Sequence, residues 1–229
     1  MKRAFPIFGV LTLALLSYAL YEALVAAPTE QTMGDVQRIF YYHVPSAWTA
    51  FLLFLINFVA SVYYLIRRSD RADIIALVSA EVGVVFCTVV LVTGPIWARP
   101  VWGIWWTWDV RLTTTLVLWL IYVAYLMLRR FSSGSQTPLV AAVLAVFGAL
   151  DVPLVYFSIW YFRTQHPSPV IGKGGSLDPR MAHVLLINWA AFLCFAFLVC
   201  WSRYRLERVR RDVEETQALE ALLEPRSVS

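Results

Sequence analysis

The sequence contains only three cysteines, and none of them belongs to a redox or metal-binding motif. Cys87, Cys194 and Cys200 lie inside apolar runs, where a thiol behaves as a small buried hydrophobic group. No CxxC or CxxCH pair occurs, which excludes a thioredoxin-like redox centre and covalent attachment of a c-type haem to this chain. A nucleotide-binding loop and a nucleophile with a paired base are also missing. The sequence therefore does not predict an enzyme that makes or breaks covalent bonds.

Charged residues are also scarce, at 15% of the 229 residues, whereas hydrophobic residues make up 60% and the mean hydropathy is +0.66. Soluble globular chains have roughly 45–50% apolar residues. This composition indicates a polytopic membrane protein. The net charge of +4 is modest, so we expect no nucleic-acid partner. No separate soluble domain or internal repeat is evident.

Six segments are apolar over about 20 residues, the length that an α-helix needs to cross a hydrocarbon core of about 30 Å. They run from Phe5 to Ala26, Ala47 to Ile66, Ile74 to Trp97, Thr113 to Leu128, Leu139 to Tyr161 and Met181 to Trp201. The first run is longer than the 7–15 apolar residues of a cleavable signal peptide, so we interpret it as a retained span. We predict an all-α fold with six transmembrane helices.

Lysine and arginine residues are distributed unequally between alternate connections. Thirteen of the 19 fall on the side of both termini and six on the other side. Because basic residues concentrate in cytoplasmic loops, both termini are predicted to be cytoplasmic. Residues 1–202 would form the transmembrane domain and residues 203–229 a cytoplasmic tail. The tail is expected to extend the sixth helix, either as a solvated charged surface or as a docking helix for a partner.

The segment from Trp97 to Thr113, WARPVWGIWWTWDVRLT, contains five of the ten tryptophans and connects spans three and four. We call it the tryptophan segment, and the predicted topology places it on the outer, periplasmic side. A helix would align Trp102, Trp105, Trp106 and Asp109, whereas an extended chain would align Trp102, Trp106 and Trp108. An aromatic belt at the membrane interface is the alternative. Asp109 would cap the fourth helix or pair with Arg111.

The same topology places all three histidines, His43, His166 and His183, on the outer side. Pro45 suits a bend or a helix start just after His43, and Asp178 or Pro179 could open the last helix before His183. Each histidine alone is an ordinary polar residue at the interface. As a pair, His43 and His183 could approach one ligand from two directions.

Haem fits such a pair better than zinc does. Haem iron accepts axial imidazoles from distant chain positions, whereas zinc prefers four closely grouped protein ligands. Tryptophan faces suit a flat porphyrin, and arginines suit its propionates. Spacing alone does not select the arginine; the outer-side candidates are Arg99, Arg111, Arg163 and Arg180.

Two acids, Glu81 and Asp151, lie inside predicted spans three and five. Ionisable groups in a membrane are costly and indicate a function by default. Asp151 precedes Pro153, so it could instead satisfy backbone groups around a proline kink. The sequence reveals no partner for either acid.

The run WGIWWTWDVRLT from Trp102 to Thr113 resembles the WWD motif of haem-handling membrane proteins in cytochrome c maturation. The stretches RIFYYHVPSAW, LVTGPIWARPVWG and DVPLVYFSIWYF resemble the six-span haem exporter protein C family, and the similarity extends to about Arg205. The resemblance implies that His43 and His183 are the axial ligands. It also implies a haem platform formed by Trp102, Trp105, Trp106, Trp108 and Asp109, and we include Arg111 among the haem-binding residues.

The resemblance also implies a function in the bacterial inner membrane. Such a protein presents haem b, bound non-covalently and transiently, to a membrane-anchored periplasmic haem chaperone. ATP-binding-cassette (ABC) transporter subunits and a small single-span subunit are the expected partners. The protein would be a haem-transfer protein, with lyase-like assistance to haem attachment as an extension. His166 would be an alternative ligand, a contact for the chaperone or a polar loop residue.

Two other functions are consistent with a polytopic membrane protein. The first is a transporter of haem or another small molecule that uses Glu81 and Asp151 as a polar pathway. The second is a membrane b-type cytochrome, which would need histidines paired across the bilayer, whereas the histidines here are predicted to lie on one side.

Overall fold

The computed structural model describes residues 4–132, 134–167 and 177–223, and these residues form helices without a named strand. The α-helices are α1 (Ala4–Tyr21), α2 (Phe40–Arg67), α3 (Asp70–Trp102), α4 (Val110–Phe131), α5 (Thr137–Ala149), α6 (Asp151–Tyr161) and α7 (Pro179–Leu223). A π-helical turn, Glu22–Ala26, continues α1, and a 3₁₀ turn, Asp35–Ile39, precedes α2. Six candidate membrane spans result, because α5 and α6 together form one. The predicted all-α fold with six spans is confirmed.

Helix α2 begins at Phe40, so Pro45 lies inside the helix and not in its first turn as predicted. Proline removes one backbone N–H from the helix ladder, but tertiary packing outweighs that loss here. Phe40 and Tyr41 are buried against the start of α7, where they join Met181 and Leu185 in one apolar cluster. Burial of these side chains holds the extra helical turn in place.

Helices α2 and α3 are connected by Arg68 and Ser69 and pack closely along their length. Gly83 makes this approach possible: a Cβ atom there would lie 2.7 Å from Phe54 Cε1. Phe54 is fully buried and stacks on Tyr122 of α4, with ring centroids 3.9 Å apart. Most residues of the main apolar core belong to α2, α3 and α4, and α5, α6 and α7 add a few small or apolar side chains.

The fifth span is broken at Leu150, between α5 and α6. Pro153 lacks the N–H that would bond to the carbonyl of Ala149, and its ring crowds that carbonyl. The sequence suggested that Asp151 could hydrogen-bond to backbone groups at this kink, and no such hydrogen bond is found among the described residues. Its Oδ2 atom is buried without a hydrogen-bond partner among the described residues.

Glu81 has a partner that the sequence did not reveal. Arg203 of α7 donates two hydrogen bonds to its carboxylate, at 2.8 and 2.9 Å. A second contact lies eight residues further along both α3 and α7, where Arg211 donates to Asp73 at 2.6 Å. Arg129 of α4 donates to the same carboxylate at 2.7 Å. We call the Glu81–Arg203 and Asp73–Arg211 contacts the α3–α7 clamps. They lie towards the end of the bundle opposite the tryptophan segment.

Helix α7 continues without interruption from Pro179 to Leu223. The predicted extension of the sixth helix is therefore confirmed. The extension is not simply a solvated surface, because Glu207 is 4% exposed and Arg211 reaches Asp73. Beyond this contact, Val213, Leu219 and Leu222 are exposed.

Candidate functional site

A cavity that is open to solvent lies at the end of the bundle that carries the tryptophan segment, and its empty space, including the solvent at its mouth, is about 820 Å³. Its apolar floor comes from α2, α3, α4 and α6, and its upper wall contains aromatic, histidine and arginine side chains. The upper wall consists of His43, Trp97, Trp102, Trp105, Trp106, Arg111 and His166.

His43 lies in the first turn of α2 and is 7% exposed. Its Nδ1 atom is 2.8 Å from Thr93 Oγ1 of α3. The Trp97 ring meets the imidazole edge to face, with centroids 5.9 Å apart. Two contacts from α3 thus fix the orientation of His43 beside the cavity.

His166 lies in the segment after α6, and its ring centroid is 6.4 Å from that of His43. Its Nδ1–H donates to the carbonyl of Pro167 at 2.9 Å, and its backbone N–H donates to Thr164 Oγ1 at 3.1 Å. Burial, followed by the positive charge of Arg111, lowers the pKa of His166 to about 4. The imidazole is therefore neutral at physiological pH, as a metal ligand must be.

His183 does not line this cavity. It is exposed on α7, while Met181, Val184 and Leu185 around it face inward and pack on Phe40 and Tyr41. Residues 181, 184 and 185 lie on one face of the helix, so residue 183 must lie on the opposite face. The structure thus brings His166 to His43 and not the predicted partner, His183. The helical register of the last span indicates that His183 faces outward, because positions 181, 184, 185 and 188 form a buried stripe that omits His183.

The tryptophan segment changes conformation at Gly103, where α3 ends with a left-handed φ of +76°. Residues 104 to 109 are not helical, and the alignment of Trp102, Trp106 and Trp108 expected of an extended chain does not occur either. Trp102, Trp105 and Trp106 line the cavity. Trp108 does not: it is 76% exposed and contacts the Trp106 ring edge to face at 5.7 Å. Trp97 does line it, although the sequence did not identify it as a site residue.

Asp109 caps α4, which is one of the two alternatives predicted for it, the other being an ion pair with Arg111. Its Oδ1 accepts from the backbone N–H of Leu112 at 3.0 Å, and its Oδ2 accepts from Thr107 Oγ1 at 2.9 Å and from the backbone N–H of Gln165 at 3.2 Å. Burial raises the pKa of Asp109, but these hydrogen bonds outweigh it and hold the pKa below its usual value. Asp109 does not line the cavity; it joins the tryptophan segment to the segment that carries His166.

Arg111 is the arginine that lines the cavity, among the four outer-side candidates. Its Nη1 atom is buried and has no hydrogen-bond partner among the described residues. Arg99 is exposed and donates to the carbonyl of Gly103, and Arg180 contacts Asp178 at 3.6 Å. An unpaired guanidinium donor in a largely apolar cavity is suited to an anionic group of a ligand.

Within the described residues, no group of three or more histidine, cysteine or carboxylate side chains could hold a metal ion. The cavity offers two imidazoles and no carboxylate ligand, which is too few for a structural zinc site. Aromatic walls, two imidazoles and one arginine form a donor set that suits a flat, anionic metal complex.

Comparison with known proteins points to one family. The family described as "Heme exporter protein C" matches residues 1–219. The Heme exporter protein C of Bradyrhizobium diazoefficiens is 34% identical over 222 residues, which cover 96% of this chain and 84% of that protein. The Heme exporter protein C of Haemophilus influenzae is 31% identical over 91% of this chain and 86% of its own length. That of Escherichia coli is 32% identical over 80% of this chain and 73% of its own length. This chain therefore belongs to the Heme exporter protein C family of haem-handling membrane proteins in cytochrome c biogenesis.

Proposed function

We propose that the chain binds haem b in the cavity at the tryptophan end, with His43 and His166 as the two axial ligands. The observation that carries this proposal is the separation of 6.4 Å between the two ring centroids. Imidazole nitrogens bind metal ions at about 2 Å, so two imidazoles on opposite sides of one ion have ring centres roughly 6 Å apart. His183 is exposed and lies outside the cavity, so it is not part of the proposed ligand pair.

The hydrogen bonds of the two histidines support the same assignment. Nδ1 of His43 is engaged by Thr93, and Nδ1 of His166 by Pro167. Each imidazole keeps Nε2 for a ligand, and metal-binding histidines commonly donate their other ring N–H in this way. Trp102, Trp105 and Trp106 would contact the porphyrin faces and edges. Arg111 would receive a propionate on its free guanidinium nitrogen.

Haem handling is the family's function, and we propose that this chain transfers haem without catalysing its chemistry. Two neutral ligands and an open, tryptophan-lined wall would hold haem and still allow its departure. The acceptor would be a membrane-anchored periplasmic chaperone, and ABC transporter subunits with a small single-span subunit would complete the assembly. We place the chain in the bacterial inner membrane with both termini cytoplasmic and the cavity at the periplasmic face. Trp108 and Asp109 would support the site from outside the cavity.

The transporter alternative loses one of its two acids. Glu81 makes a bidentate contact with Arg203, so its carboxylate serves the packing of α3 and α7. The remaining acid, Asp151, does not line the cavity that contains the histidines. A single isolated carboxyl group does not form a polar pathway.

Absorption spectra of the purified, detergent-solubilised protein test this proposal. We expect haem in the wild type after co-expression with the chaperone, and at least tenfold less haem, with a shifted Soret band, in His43→Ala and His166→Ala. His183→Ala is the matched control and should retain the wild-type spectrum. Covalent haem on the chaperone, detected by haem staining, should decrease in parallel.

Two results would contradict the proposal. A wild type without haem under these conditions would exclude haem binding. Loss of the Soret band in His183→Ala, with an unchanged band in His166→Ala, would restore the pair predicted from the sequence.

A further inference from the structure

The hydroxyl of Thr93 contacts His43 and two backbone carbonyls of its own helix. Thr93 Oγ1 lies 2.6 Å from the carbonyl oxygen of Val89, 2.8 Å from Nδ1 of His43 and, more distantly, 3.5 Å from the carbonyl oxygen of Val90. A hydroxyl has one proton and two acceptor lone pairs. Because a carbonyl oxygen can only accept, the short contact with Val89 uses the hydroxyl proton. Thr93 Oγ1 must then accept a hydrogen bond from Nδ1–H of His43.

The opposite arrangement satisfies fewer groups. If Thr93 donated to Nδ1, the imidazole proton would be on Nε2, which has no hydrogen-bond partner among the described residues. The Nε2–H group would then face the largely apolar lining of the cavity, where no described side chain accepts a hydrogen bond from it. The carbonyl of Val89 would also lose the hydroxyl contact. The arrangement with the proton on Nδ1 is therefore preferred.

We infer that Thr93 is a positioning residue that holds His43 as the Nδ1–H tautomer and thereby keeps a bare Nε2 for haem iron. This inference rests on the proposed function, because it assigns a purpose to the free nitrogen. Thr93 does not line the cavity; it acts through the imidazole.

The residue after Thr93 adds to this arrangement. Gly94 has no side chain, and a Cβ atom there would lie 3.4 Å from Cε1 of His43, in van der Waals contact. Helix α3 thus presents a hydroxyl and an adjacent bare backbone to the imidazole. Together with the edge of Trp97, they fix the plane of the ring and its proton.

His166 reaches the same tautomer by a different route. The carbonyl of Pro167 can only accept, so Nδ1 of His166 carries the proton. A backbone carbonyl cannot be removed by a side-chain substitution, whereas the hydroxyl of Thr93 can. His43 is therefore the histidine whose tautomer can be changed experimentally.

Nitrogen-15 NMR of histidine-labelled protein without haem tests the tautomer directly. The chain has three histidines, so His166→Ala and His183→Ala suffice to assign the His43 signals. We expect the Nδ1–H form in the wild type and in Thr93→Ser. Thr93→Val keeps the size of the side chain without the hydroxyl and should give a mixture with the Nε2–H form.

Thr88 provides a matched control on the same helix. Its hydroxyl donates a hydrogen bond to the carbonyl of Val84 at 2.8 Å and accepts one from the indole N–H of Trp119 at 2.8 Å. Thr88→Val therefore removes the same pair of hydrogen bonds at a position outside the cavity. The His43 signals should be unchanged in this variant.

Haem binding then tests the consequence. Loss of the hydrogen bond that orients a metal-binding histidine commonly costs about 10–100-fold in affinity. We expect ferric haem affinity to fall about tenfold or more in Thr93→Val, with Thr93→Ser and Thr88→Val close to the wild type. Iron-free protoporphyrin, which cannot bind Nε2 through a metal, should bind equally well to all four proteins.

The outcomes separate this inference from the proposed function. If His43→Ala abolishes haem binding but Thr93→Val changes neither the tautomer nor the affinity, Thr93 has no positioning role. If His43→Ala and His166→Ala bind haem normally, the proposed function fails, and the NMR spectra still decide the tautomer. An equal loss of iron-free porphyrin in Thr93→Val would show general damage to the cavity and overturn the inference.

Discussion

At the scale of single residues, the cavity is lined by three polar side chains that each keep an atom available to a ligand. His43 and His166 each engage Nδ1, and Arg111 Nη1 has no partner in the part of the chain that the structure describes. Asp109 differs, since both of its oxygens are occupied by the tryptophan segment and the His166 segment. The free atoms belong to residues that line the cavity, and the fully engaged carboxylate belongs to a residue behind it.

His166 should remain neutral down to about pH 4, because burial and Arg111 lower its pKa from 6.5. In the unfolded chain the imidazole takes up its proton near pH 6.5. Between pH 6.5 and 4 the unfolded state thus binds more protons, and the free energy of unfolding decreases as the pH falls through this window. NMR titration of the haem-free protein should give a pKa near 4 for His166.

Two arginine variants sharpen this prediction. Arg111→Gln removes the second cause of the shift, so the pKa should rise but stay below 6.5, because burial remains. Arg163→Gln removes an exposed charge that is not among the causes and should leave the titration unchanged. A pKa of 6.5 in the wild type would show that the surroundings of this half-buried imidazole do not desolvate it.

At the scale of helices, the α3–α7 clamps connect two antiparallel helices at points eight residues apart on each. Eight residues span about 12 Å of helix, so the clamps prevent both sliding and rotation of α7. The Asp73 clamp is the more buried: its carboxylate side chain is 3% exposed, compared with 28% for Glu81. We therefore expect most of the stabilisation from Asp73 and its two arginines.

Arg211→Ala should destabilise the protein and release the α7 extension. Hydrogen bonds to charged groups contribute about 1.5–3 kcal/mol, and Asp73 would keep only Arg129. Arg208→Ala is the control, because Arg208 is exposed and has no ion pair in the part of the chain that the structure describes. The checks are the unfolding midpoint in detergent and the rate of limited proteolysis after residue 203. Equal effects of the two substitutions would mean that the Asp73 clamp does not hold the extension.

At the scale of the whole molecule, six candidate spans predict that the two ends of the chain lie on the same side of a membrane. The excess of basic residues on that side predicts that it is cytoplasmic. Single cysteines at Thr32 and Glu220, in a background with Cys87, Cys194 and Cys200 replaced by alanine, test this orientation. In intact cells a membrane-impermeant maleimide should label the cysteine at position 32 and not the one at position 220. The reverse pattern would invert the topology and place the cavity on the cytoplasmic side.

Much of the fold was predictable from the sequence, because hydrocarbon thickness imposes a helix length that hydropathy reveals. The additional turns of α2 were not predictable, since they depend on contacts of Phe40 and Tyr41 with a helix 140 residues away in sequence. For the site, topology grouped His43, the tryptophans and Arg111 on one side. It could not choose between His166 and His183, because membrane depth does not determine which way a side chain faces. That choice needs the helical register of α7 and the hydrogen bond that the backbone N–H of Gln165, next to His166, donates to Asp109.

Four of the ten tryptophans line one cavity, and this arrangement has an optical consequence. Indole fluorescence overlaps the absorption of a porphyrin, and energy transfer over a few ångströms is efficient. A porphyrin among Trp97, Trp102, Trp105 and Trp106 would quench their emission, while more distant tryptophans would be affected less. The protein thus contains its own fluorescent probe, and the arrival and departure of a porphyrin could be timed without an attached dye.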